Sequence, residues 1–148
     1  MKKLQKLSLS LALSLILAVS LALPAFASNH SDTNLPTSFI SYTTNATTGV
    51  RAKQNTTSVY MNNTSGMTLW VYANGGSKPS NPSVTYSTGT TRGNYAKVLP
   101  GKYRIVTWIY ENGYRSAWLN ISTATSGVSG NCKGQWSPDS VGSYPPAN

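Results

Sequence analysis

The chain has 148 residues with 12 Lys or Arg against 3 Asp or Glu, a formal net charge of +9, one Cys and one His. That length carries one domain, and a single His, a single Cys and three carboxylates exclude a dense metal-ligand cluster and leave a nucleophile, base and orienter triad without its parts. A lone Cys excludes an internal disulfide, and the absence of any dense Lys/Arg block excludes a dedicated nucleic-acid surface.

Residues 1–27 read as an export signal. Lys2, Lys3 and Lys6 form a basic start, residues 7–23 are an apolar run broken only by small Ser residues, and Ala25-Phe26-Ala27 is a small-x-small cleavage pattern. A retained span needs about 20 apolar residues without such a site. The expectation is cleavage near Ala27-Ser28, release to the extracellular side and no membrane span afterwards. The product carries nine Lys or Arg against Asp32, Glu111 and Asp139, a net of +6. This excess favours an anionic cell-wall polymer or envelope surface as partner, although scattered positive charge also serves solubility alone.

Of the 121 residues after Ala27, 59 are Ser, Thr, Asn or Gly and 14 are Phe, Trp or Tyr. The first set is poor in helix formers and rich in turn and strand formers; the second implies a small core filled largely by rings. The fold expected is all-β, a small antiparallel two-sheet sandwich built from hairpins with little or no helix.

In chain order, residues 28–50 read as a flexible leader beside the cleavage site, with a short edge strand at 39–43. Alternation is clean over 57–62, which puts Thr57, Val59 and Met61 on one face and Ser58, Tyr60 and Asn62 on the other. Asn63-Thr64-Ser65-Gly66 then turns the chain into 67–72, where Met67, Leu69 and Val71 oppose Thr68, Trp70 and Tyr72. Two strands joined by so short a turn read as an antiparallel pair. Residues 74–82 form a loop on turn chemistry, with Gly75 at a permissive position. A short strand follows at 84–86, a loop at 88–93, and a strand at 95–99 stopped by Pro100-Gly101.

The clearest local signal is 102–123. Asn112-Gly113 is a type I′ pair between a β-branched and aromatic run at 103–110 and its return at 114–121. The hairpin register sets Trp108 opposite Ala117 and Val106 opposite Leu119, which makes Val106, Trp108, Tyr110, Ala117, Leu119 and Ile121 the expected core. Ile105, Ile109 and Trp118 fall on the reverse face, too apolar to stand bare, so a second sheet or the C-terminal segment is expected over part of it. Glycine-rich residues 127–135 place Cys132 in an exposed loop. The domain division is signal 1–27, leader 28–50, β-sandwich 51–140 and tail 141–148.

No catalytic set emerges. His30 lies in the leader, Glu111 at a hairpin end, and Asp139 after Pro138, where its side chain caps a turn. No cofactor and no metal is expected. The candidate binding residues are Tyr60, Trp70, Tyr72 and Trp118, rings that share strand faces. They either fill the gap between sheets or present a coplanar surface on which sugars and wall polymers stack.

The Thr57-Ser58-Val59-Tyr60 strand, the Tyr110-Glu111-Asn112-Gly113-Tyr114 turn and above all the close Gly134-Gln135-Trp136-Ser137-Pro138-Asp139-Ser140 resemble small exported proteins of Gram-positive bacteria grouped as domain of unknown function 2712. The likeness spans roughly residues 51–140. It implies export and a compact β domain and lends no catalytic residue. The leading expectation for function is non-enzymatic binding at or near the cell envelope; the alternative is a bacteriocin-like or toxin-like secreted effector, consistent with small size, export and positive charge.

Overall fold

A computed structural model of the chain describes residues 29–77 and 95–148. The export signal, the expected strand at 84–86 and the loop at 88–93 lie outside them. Among the described residues there is no helix, and the strands in chain order are β1 (Thr33–Asn34), β2 (Phe39–Ile40), β3 (Ala46–Thr47), β4 (Arg51–Ala52), β5 (Val59–Asn63), β6 (Leu69–Gly76), β7 (Ala96–Val98), β8 (Gly101–Ile105), β9 (Ser116–Thr123), β10 (Gly130–Asn131) and β11 (Gly134–Ser137). They form antiparallel sheets: a four-stranded one in the order β1-β11-β5-β8, a five-stranded one in the order β3-β9-β6-β7 with β4 also on β9, and a two-stranded pair β10-β2.

The core lies between the two larger sheets. Val59, Met61, Ile105 and Trp136 from one sheet meet Leu69, Val71, Ala73, Val98, Leu119 and Ile121 from the other, all at most 1% exposed. Period-two alternation fixes this: every second residue of β6 and β9 is aliphatic and points inward, and each fully buried Leu, Ile or Val adds about 1.5–3 kcal/mol.

Both expected hairpins are instead crossings between sheets. β5 pairs with β8 and β11, whereas β6 pairs with β7 and β9. The reason at the first corner is Asn63, buried at 1% exposure. Its Oδ1 accepts from the Ser65 amide and hydroxyl, and its Nδ2 donates to the carbonyls of Met67 and Val98, at 2.8 and 3.2 Å. That side chain anchors the turn to β7 and leads the chain into the other sheet. At the second corner β8 ends at Ile105, residues 106–115 cross over, and the amides of Asn112, Gly113 and Tyr114 bond back to the carbonyls of Trp108, Tyr110 and Ile109. Asn112-Gly113 is a turn, with Gly113 at φ +84°, but not a hairpin turn.

The core expected there is accordingly half right. Ala117, Leu119 and Ile121 are fully buried, while Trp108 is 44% exposed and Val106 and Tyr110 are partly exposed; Ile105 and Ile109 take their place. Without the hairpin nothing holds Val106 opposite Leu119, and Ile105 instead pairs with Val59. The expected loop at 74–82 begins later, because Asn74, Gly75 and Gly76 extend the β6 ladder to Trp118, Ala117 and Ser116. Gly75 is not permissive: a Cβ there would come within 3.0 Å of Ile109 and Tyr114.

Residues 29–50, expected as a flexible leader, carry three short strands, including the expected one at Phe39, which pairs with Asn131. At the C-terminus, the Arg104 amide donates to the Pro145 carbonyl, the Ala147 amide to Arg104, and the Lys97 amide to Ala147, so the tail follows the free edge of β8 and reaches β7.

Candidate functional site

The outer face of the five-stranded sheet holds a cleft of about 490 Å³, within the size range of ligand pockets. The β6–β9 register builds its floor: Trp70 stands opposite Ser122 and Tyr72 opposite Asn120. On the other side of β6, Lys97 pairs with Trp70, so Tyr95, two residues earlier, falls beside Tyr72. Tyr95 is 50% exposed and contacts both rings, at 5.6 Å and 47° to Trp70 and at 4.6 Å and edge-on to Tyr72. Tyr42 and Asn45, from the chain between β2 and β3, complete the wall.

Polar groups along the floor are held in place. The Thr47 hydroxyl donates to Asn120 Oδ1 at 3.0 Å, which leaves the Asn120 Nδ2 group to donate. The Tyr72 phenol titrates above its ordinary value, first because burial penalises the phenolate and then through the charge of Tyr95 and a hydrogen bond to it. Among the described residues the lining carries no charged side chain. Its chemistry is that of a cleft with apolar walls and a few oriented hydrogen-bonding groups.

Of the four sequence candidates, Trp70 and Tyr72 come together here. Tyr60 does not: it lies on the four-stranded sheet, 6% exposed, with Tyr144 of the tail packed on it at 4.8 Å. Trp118 shares the outer face opposite Asn74 but is 7% exposed and does not line the cleft. The rings that do gather are not coplanar as expected; their angles make walls, not a platform. Tyr95, Tyr42, Asn45, Asn120 and Ser122 were missed. The spacing Trp118, Asn120, Ser122 was a legible signal, since alternate residues of one strand share a face, but it identifies a site only once β9 is known to lie beside β6.

The remaining polar residues serve the fold. Asp139 is not an exposed turn cap. It is fully buried, its Oδ1 accepts from Lys53 Nζ at 2.6 Å, and its Oδ2 accepts from the amides of Asn29 and Gln54 at 3.0 and 3.1 Å. Lys53, 1% exposed, also donates to the Thr57 carbonyl, and burial lowers its pKa against the opposing pull of Asp139. The Arg51 guanidinium spans the Ser31 carbonyl, the Asn29 side chain and the Trp136 ring. Cys132, expected in an exposed loop, is fully buried, and its thiol is pushed up to about 11 by desolvation. It follows exposed Asn131 and precedes exposed Lys133, the alternation of an extended chain with one face inward.

The residues of the Gly134 to Ser140 close also act structurally. Trp136 fills the core, the Ser137 hydroxyl donates to the Asp139 carbonyl at 2.8 Å, Asp139 holds Lys53, and the Ser140 amide donates to Thr57 Oγ1 at 3.1 Å. No curated protein and no solved structure matches the chain. The family model described as "Protein of unknown function (DUF2712)" matches residues 23–140, so the chain belongs to that family.

Proposed function

We propose that this is an exported, non-catalytic protein that binds at the Gram-positive cell envelope through the cleft between Trp70, Tyr72, Tyr95 and Tyr42. The observation that carries the reading is four rings gathered on an outer sheet face with Tyr95 half exposed and Asn and Ser side chains between them. An aromatic wall left open to solvent adds nothing to the core it could have joined. The exposed cations Lys97, Lys102, Arg104, Arg115 and Lys133 favour approach to an anionic wall. Binding therefore has two components, a charge term that salt removes and a cleft term that it does not.

Co-sedimentation of the secreted protein with purified walls tests this. Binding should fall as salt rises but leave a residue at about 1 M, where screening acts beyond about 3 Å. Tyr95→Ala, at a half-exposed position, should remove that residue with the unfolding midpoint unchanged. A folded wild type that never sediments with walls would overturn the reading. Intact-mass analysis of culture medium should show a chain beginning near Ser28; full-length protein held in membranes would overturn export.

A further inference from the structure

We infer that the cleft takes a single uncharged saccharide chain which continues across Tyr42 into a neighbouring depression; this rests on the envelope-binding reading and specifies its ligand. The charge argument comes first. Every described lining residue is neutral, so a phosphate or carboxylate entering the cleft would lose hydration without gaining a cation, and burying an unpaired charge is costly. The polyanion favoured by the overall charge belongs to the exposed lysines and arginines, not to this site.

Ring geometry sets the shape of the ligand. Tyr95 stands at 47° to Trp70 and edge-on to Tyr72. Rings at such angles cannot lie together on a flat polymer surface, but they can face one chain from two sides. A pyranose offers what these walls match, apolar C–H faces for stacking and a rim of hydroxyls. Asn45, Asn120 and Ser122 supply both donors and acceptors for that rim and for amide substituents.

Length follows from Tyr42. Its ring, 53% exposed, lines the cleft on one side and on the other a depression of about 270 Å³ bounded by Ser41, Thr43, Ser126 and Ser129. That second surface is again neutral and hydroxyl-rich. A chain with sugars on both sides of Tyr42 gains contacts that a disaccharide in the first cleft lacks.

Calorimetry at high salt with N-acetylglucosamine oligomers of two, four and six units, and with poly(glycerol phosphate) as the charged probe, tests this. Affinity should rise roughly tenfold from two units to four, the equivalent of one further ring contact of about 1.4 kcal/mol, and poly(glycerol phosphate) should not compete. Tyr42→Ala should abolish the length gain and spare the two-unit affinity, whereas Tyr95→Ala should weaken every length. Affinity independent of length would overturn the continuous groove, and tighter binding of poly(glycerol phosphate) in the cleft would overturn the neutral ligand. If no oligomer binds while walls still bind in a Tyr95-dependent way, the saccharide assignment is wrong and envelope binding stands. Loss of both would reject both.

Discussion

Replacing Asp139 with Ala should come close to unfolding the protein, and replacing its partner should do less. The carboxylate is fully buried against Lys53, itself 1% exposed. Asp139→Ala leaves a buried ammonium without its counter-charge, at about 3–5 kcal/mol. It also takes the acceptor from the Asn29 and Gln54 amides, at about 1 kcal/mol each for partly buried donors. The sum equals the lower end of the whole stability of a small domain, about 5–15 kcal/mol. Lys53→Met leaves a carboxylate that still accepts both amides, and its cost should fall at the lower end of about 3–5 kcal/mol. Urea unfolding followed by Trp fluorescence reads both, and the double variant Lys53→Met/Asp139→Ala should cost less than the two added together. The pH dependence carries a sign. Because the folded pKa of Lys53 lies below its ordinary 10.5, the unfolded chain holds the extra proton between those values. This residue's contribution to stability therefore increases as pH climbs through that window, and the increase disappears in Lys53→Met. A cost below about 1 kcal/mol for Asp139→Ala would mean that the pair is solvated and the reasoning wrong.

Gly75→Val should cost more than Gly113→Val by equilibrium unfolding, because Gly75 faces Ile109 and Tyr114 at 3.0 Å, while Gly113 meets nothing within 4 Å and suffers only its positive φ. Gly134→Ala should be worse than either: at φ +142° its Cβ would stand 2.0 Å from the Asn62 carbonyl oxygen, a backbone atom that cannot swing aside. Cys132 should resist alkylation at pH 8 in the folded protein and react once urea unfolds it. Its thiol, held up to about 11 against an ordinary 9.0, makes the wild type lose stability relative to Cys132→Ala as pH rises between those values, since the unfolded chain gives up its proton first.

Strand faces were legible and strand partners were not. Alternation alone put Val59, Met61, Leu69 and Val71 inward and Trp70 and Tyr72 outward, as found, because the two-residue period is a property of each strand by itself. Pairing depends on residues far apart. Asn112-Gly113 marks a turn whether or not the strands beside it pair, and what decides the matter is the eight-residue ladder from Leu69–Gly76 to Ser116–Thr123. The hairpin assumption then carried Val106 inward in error. Lys53 was counted among surface charges because nothing local distinguishes the one lysine that meets Asp139, 86 residues away. For the candidate site, half the aromatic wall could be read from β6; the rest required the β9 and β7 neighbours and the chain around Tyr42.

The cleft as the binding surface is tested most directly by residue-resolved NMR of the isotope-labelled secreted protein titrated with soluble wall-glycan fragments at about 1 M salt, where screening acts beyond about 3 Å. The account predicts shifts concentrated at Trp70, Tyr72, Tyr95, Asn120 and Tyr42, with Tyr60, Lys102 and Arg104 on the opposite sheet unmoved. Shifts centred on Lys102 and Arg104, with the cleft silent, would contradict it.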